Sequence, residues 1–285
     1  MDGVTLPPDL TAPDPDFDAL DQSARRHVTG PEGRRIHWAE WGPADATPLV
    51  LLHGAYGSWP HFIRNINAFS NDHRVLVPDI PGYGLSDLPA PLSIAAIGEA
   101  VADGLVELIG NRPYRLFGFS FGGAIGGRLM LHHRDQITHA MLAAPAGIAT
   151  AKVPPMKGVR FKQGEELVQA LAFNLRSIMF ARDETVTPQV IALQHRVSMA
   201  ARLRVERVDW GEGLRAPVTD FPGHLSVIWG AADSFVGPAE MPDRPTWIKR
   251  WNPRAATHVI DNAGHWVQYE AADQVNDLLR AHIML

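Results

Sequence analysis

The stretch Gly118-Phe119-Ser120-Phe121-Gly122-Gly123 sets a serine among glycines. The apolar run Leu116-Phe117 precedes it, and small and apolar helix formers follow. The pattern Gly118-x-Ser120-x-Gly122 reads as a strand, a sharp turn and the start of a helix. A serine on such a turn presents its hydroxyl on a crest. The strained backbone crowds its neighbours, so the flanking positions must lack a bulky Cβ. The helix that follows aims free N–H groups and its positive dipole end at the serine. This arrangement suits nucleophilic attack on a carbonyl.

A serine hydroxyl is a weak nucleophile at neutral pH. It needs a base, and the base needs a carboxylate to orient it. In an open α/β sheet such residues gather in loops at the carboxyl ends of strands. Of the 13 histidines, His265 lies in such a loop, Asn262-Ala263-Gly264-His265-Trp266, after a strand ending at Ile260. His53 follows a strand directly, within a glycine-rich loop, and is read as shaping that loop. For the carboxylate, Asp233 follows the strand ending at Trp229-Gly230. Asp261, at the close of the strand before His265, is its rival, and Asp79 is read as fixing the Pro81-Gly82 turn. Two backbone N–H groups are expected to hold an oxyanion. One is that of Phe121, after the nucleophile; the other is that of Ala55, in the loop His53-Gly54-Ala55-Tyr56-Gly57-Ser58.

The elements that must carry these residues are legible in order. Two strands flank the turn Gly30-Pro31-Glu32-Gly33. Pro48-Leu49-Val50-Leu51-Leu52 is a continuous apolar run, as in a strand buried on both faces. A helix is expected over residues 59–69, then a strand over 74–78. Helical periodicity runs over 94–109, with Ser93 as N-cap. Ile137 to Ala143 and Leu225 to Gly230 read as further strands, and a closing helix is expected from about Ala271 to Ile283. Strands alternating with helices predict an α/β fold with a doubly wound, mostly parallel sheet. The core spans residues 23–148 and 217–285. Residues 149–216, amphipathic and without a convincing strand, read as a helical cap inserted into it. Residues 1–22, rich in Asp and Pro, read as an extended N-terminal arm.

The 285 residues, 46% hydrophobic, suffice for one large domain with a sizeable core. The net charge of −5 and the lack of a basic stripe argue against a nucleic-acid partner. No run approaches the length of a membrane helix, and the first residues lack the pattern of a signal peptide. A cytoplasmic protein acting on a small molecule is expected, and a homodimer or higher homo-oligomer fits as well. Cysteine is absent, and neither a metal-ligand motif nor a nucleotide fingerprint stands out. No metal or cofactor is expected.

The motifs together resemble the α/β-hydrolase family over nearly all of residues 25–285. They are His53-Gly54, Asp79-x-Pro81-Gly82-x-Gly84-x-Ser86, Gly118-x-Ser120-x-Gly122-Gly123, Trp229-Gly230-x-x-Asp233 and Gly264-His265-Trp266. The order Ser120, Asp233, His265 is that of the family's triad. Within the family, four segments are similar to meta-cleavage-product hydrolases, which cut carbon–carbon bonds in diketo acids from aromatic degradation. These are Phe62-Ile63-Arg64-Asn65, Asn174-Leu175 with Met179-Phe180, Gln194-His195-Arg196, and Gly264-His265-Trp266-x-Gln268-x-Glu270. That resemblance implies three substrate-binding residues: Asn65 near the oxyanion hole, Arg196 on the substrate's carboxylate or dienolate, and Trp266 lining the pocket. Phe119 and the short loop after His53 depart from that group. The tripeptide Gly118-Phe119-Ser120 looks more like aryl esterases and cofactor-free perhydrolases. The expected activity is that of a serine hydrolase, on an apolar ester or a meta-cleavage diketo acid. The alternative is a slow or non-catalytic ligand receptor on the same fold.

Overall fold

The structure, a computed structural model, describes residues 15–149 and 153–283. Eight strands form one sheet: β1 Arg25–Thr29, β2 Ile36–Trp41, β3 Thr47–Leu52, β4 His73–Pro78, β5 Tyr114–Phe119, β6 Ile137–Ala143, β7 His224–Gly230 and β8 Ala256–Ile260. Their order is β1-β2-β4-β3-β5-β6-β7-β8. β2 pairs antiparallel with β1 and with β4, and every other pairing is parallel. Central strands covered on both faces are mostly apolar, which is why Pro48 to Leu52 of β3 and Leu116 to Phe119 of β5 carry no polar side chain.

The helices are α1 Pro15–Ser23, α2 Ile66–Phe69, α3 Ile94–Ile109, α4 Phe121–His132, α5 Gly164–Asn174, α6 Pro188–Met199, α7 Arg215–Thr219, α8 Asp243–Trp251, α9 Val267–Glu270 and α10 Ala272–Ile283. The Ser93 side chain caps α3 by accepting from the Ala96 N–H at 3.1 Å. The helix expected over 59–69 is broken into a 3₁₀ turn, Trp59–Phe62, and the short α2. Pro60, at the second position of that turn, has no N–H to extend a ladder. Between β6 and β7 the described residues carry α5, a π turn at Leu175–Met179 and α6, and no strand. Among the described residues no helix is long and apolar enough to cross a membrane.

The N-terminal arm is corrected in part. Residues 15–23 form α1, and Phe17 and Leu20 are buried. The Phe17 ring stacks on Trp59 at 4.9 Å, and the Trp41 indole N–H donates to the Leu20 carbonyl at 2.9 Å. Two apolar residues three apart sit on one helix face, and this outweighs the Pro and Asp around them. Residues 1–14 of the expected arm lie outside the described residues.

Away from the loops at the strand ends, three histidines pack where β6, β7 and α10 meet. The rings of His139 and His224 stack at 4.7 Å, and His282 stands edge-on to His139 at 5.5 Å. Burial, then His224 and Arg115, push His139 down to about 4. Burial, then His139, push His282 down to about 4 as well, although its ring also bonds the Ala140 carbonyl. Both fold uncharged, so the unfolded chain binds more protons below the ordinary histidine value of roughly 6.5. Their contribution is complete above that pH and is lost as pH falls toward 4. The melting temperature should drop by roughly 5–10 °C between pH 7.5 and 5, discounting for partial exposure. The slope should flatten in His139→Leu.

Candidate active site

Ser120 lies between the last residue of β5 and the first of α4, at φ 51° and ψ −114°. That backbone is left-handed, a region in which a side chain is strained. Its amide donates to the Ala143 carbonyl at 2.9 Å, and its carbonyl accepts from Ala146 at 3.0 Å. The glycines around it have no room for a side chain. A Cβ on Gly118 would stand 2.7 Å from the Gly122 carbonyl oxygen, and one on Gly122 would stand 2.1 Å from that of Leu52. The turn is closed by backbone packed on backbone.

Two other strand ends meet this serine. The His265 ring places Nε2 at 2.9 Å from Ser120 Oγ and Nδ1 at 3.0 Å from each Asp233 carboxylate oxygen. An ionised carboxylate only accepts, so Nδ1 carries the proton and Nε2 is free to take one from Ser120. Asp233 and His265 are buried, and Asp233 Oδ1 also accepts from the Phe235 N–H at 3.0 Å. The rival acid Asp261 is exposed.

The loop after β3 lies against the serine. A Cβ on Gly54 would be 3.4 Å from that of Ser120. His53 braces the loop: its Nε2 accepts from the Ile80 N–H at 3.0 Å, so Nδ1–H donates to the Gly54 carbonyl at 2.7 Å. Neither the Ala55 nor the Phe121 N–H finds a backbone acceptor among the described residues.

His61 belongs to this setting and carries no sequence motif. It is fully buried, in the 3₁₀ turn, with Nδ1 accepting from the Gly54 N–H at 3.2 Å. The Gln194 side chain of α6 lies beside its ring. Burial, then His53, holds it well below the ordinary histidine range, so it is a neutral donor at pH 7. The one sequence signal is Gly57, where a Cβ would fall 2.1 Å from the His61 ring.

The pattern of the family described as the alpha/beta hydrolase family matches residues 49–278. The chain belongs to that family. This hydrolase is 31% identical to the 2-hydroxy-6-oxononadienedioate/2-hydroxy-6-oxononatrienedioate hydrolase of Paraburkholderia phymatum, over 86% of this chain and 89% of that one. It is 28% identical to the 2-hydroxy-6-oxo-6-phenylhexa-2,4-dienoate hydrolase of Burkholderia cepacia, with the same two coverages of 86% and 89%. Among solved structures it is similar to the carboxylesterase CesB of Bacillus subtilis, with a TM-score of 0.69 and 18% identity over 94% of this chain and 96% of that one. At that identity the likeness is one of fold.

The three residues expected to bind substrate are placed less simply in this hydrolase. Arg196 is exposed on α6, with its guanidinium over the Phe17 ring at 4.4 Å. The phase of α6 turns it toward α1. Asn65 is buried, and its amide donates to the Gln268 carbonyl at 3.1 Å and to Asn276 Oδ1 at 2.8 Å, so both donors are spent on the fold. Trp266 is fully buried, and its indole N–H donates to the His61 carbonyl at 2.9 Å. It backs the His61 ring at 4.8 Å. Phe119 and Phe235 lie 5.2 and 4.5 Å from the His265 ring, and Trp210 stands edge-on to Phe121 at 5.8 Å. The glycine contacts give a direct check. Gly122→Ala should cost about 1–3 kcal/mol in a denaturant titration, because backbone must move to admit one methyl. It should also cut kcat at least about tenfold, because the Phe121 N–H moves with it.

Proposed function

We propose that this protein is a serine hydrolase whose nucleophile is Ser120, with His265 as general base and acid and Asp233 as its orienting carboxylate. The observation that carries this reading is the unbroken line from Ser120 Oγ through His265 to both Asp233 oxygens, at 2.9 and 3.0 Å. Ser120 Oγ attacks a carbonyl carbon while its proton passes to His265 Nε2. The oxyanion is held by the Ala55 and Phe121 N–H groups. Asp233 steadies the imidazolium that forms, and His265 then gives its proton to the leaving group. Water, activated by the same histidine, frees Ser120 from the acyl group. Every step uses groups of this chain and water.

The substrate class we favour is a neutral ester with an apolar acyl group. Phe119, Phe121, Phe235 and Trp210 surround the catalytic loops, and Arg196, which a carboxylate would need, lies over Phe17. Residues 153–216 serve as the roof of the site, with Gln194 of α6 beside the His61 ring. The second reading, hydrolysis of a carbon–carbon bond in a diketo acid, is favoured by the 31% identity to a hydrolase named for a dienedioate.

Ser120→Ala should reduce kcat/KM for p-nitrophenyl butyrate by about 10⁴-fold or more, and should abolish fluorophosphonate labelling. A slow receptor would leave the wild-type protein unlabelled. Arg196→Ala should change turnover less than twofold on the ester and on a ring-cleavage diketo acid alike. A loss confined to the diketo acid, together with wild-type kcat/KM higher on that substrate, would move the assignment to the second reading.

A further inference from the structure

The Glu270 side chain is fully buried at the end of α9, and it touches neither Ser120 nor Asp233. Its carboxylate is nonetheless saturated with donors. Oε2 accepts from the Gly264 N–H at 2.7 Å and the Ala181 N–H at 3.0 Å. Oε1 accepts from the Arg182 N–H at 2.9 Å and Thr185 Oγ1 at 3.2 Å. The half-exposed Arg182 guanidinium returns to the Glu270 carbonyl at 2.6 Å. One carboxylate thus bonds the residue before His265 and three residues at the foot of the roof.

The two segments it joins are already in backbone contact. A Cβ on Gly264 would lie 2.7 Å from the Met179 carbonyl oxygen and 2.8 Å from the Ala181 nitrogen. The Trp266 N–H donates to the Met179 carbonyl at 2.9 Å. Ser234, next to Asp233, donates through Oγ to the Ile178 carbonyl at 2.8 Å. No strand or helix supplies acceptors for the Gly264, Ala181 and Arg182 amides, and the buried amide of Gly264 needs one. The carboxylate takes that part. Charge-assisted bonds are shorter and more directional than neutral ones, so it also fixes where Gly264 sits.

We propose that Glu270 is a positioning residue. It sets His265 by holding the Gly264 N–H and fastens the foot of the roof to the same carboxylate, so that roof and catalytic histidine move together. This rests on the assignment of Ser120, His265 and Asp233 made above. An amide at this position would turn an NH₂ toward two N–H donors, which makes Glu270→Gln informative. A displaced imidazole loses both proton transfer and its carboxylate pairing, and these register in rate and in pH dependence before they register in substrate binding.

The test uses the full chain and p-nitrophenyl butyrate. Glu270→Gln should lower kcat about 100-fold with KM within threefold. It should also shift the acid limb of the kcat/KM profile by at least half a pH unit, at a temperature where circular dichroism shows it folded. Thr185→Val, which removes one bond on the roof side, should fold normally and lower kcat several-fold with the same direction of shift. A folded Glu270→Gln with kcat within twofold of wild type and an unmoved acid limb overturns the proposal. If Glu270→Gln does not fold, an unmoved limb and unchanged kcat in Thr185→Val overturn it. Ser120→Ala, run alongside, separates the two claims. Full activity in that variant removes the triad assignment and this proposal with it. An inactive Ser120→Ala beside an unaffected Glu270→Gln removes only the role of Glu270.

Discussion

The left-handed backbone at Ser120 is the constraint on which the rest depends. A non-glycine residue held at φ 51° costs about 1–3 kcal/mol, and it persists only where the surroundings over-determine it. Here β5 lies between β3 and β6 in the buried centre of the sheet. The bonds to Ala143 and Ala146 fix the serine from both sides. Gly122 rests on the carbonyls of Leu52 and His53, so the turn and the loop after β3 are shaped against each other. One strained residue therefore sets both the proposed nucleophile and the loop proposed to stabilise the charge it would generate.

Environment does the remaining work. Asp233 is buried but satisfied, by His265 and by the Phe235 amide. In a water-poor setting such fixed dipoles act more strongly than they would in solvent. The likeness to the dienedioate hydrolase covers most of both chains, while the side chains flanking Ser120 are phenyl rings. Differences of substrate within a shared fold are expected to fall there, in the residues that touch the reacting group, and not in the triad.

Much of this was legible in the sequence, for physical reasons. Parallel strands covered on both faces are mostly apolar, so β3 through β7 announce themselves. Working residues at strand ends narrow 13 histidines to His265, and exposure in the fold separates Asp233 from Asp261. What stayed hidden depends on side-chain direction and on contacts between distant segments. His61 has no motif, and its place is visible only once Gly54 and Gly57 fold over it. Arg196 lies in a segment that resembles a substrate-binding one, but the phase of α6 and the presence of α1 turn it outward. That helix was itself masked by a Pro- and Asp-rich composition, and only the spacing of Phe17 and Leu20 hints at it.

The position of Phe17 has a practical side. Its ring is sandwiched between Trp59, at the head of the turn that carries His61, and the guanidinium of Arg196 on α6. Helix α1 is thus a clip on the outside of the molecule, spanning core and roof. Trimming the chain back to β1 would strip the cover from the indoles of Trp41 and Trp59 and leave a sticky apolar face. The shortened protein would be poorly soluble.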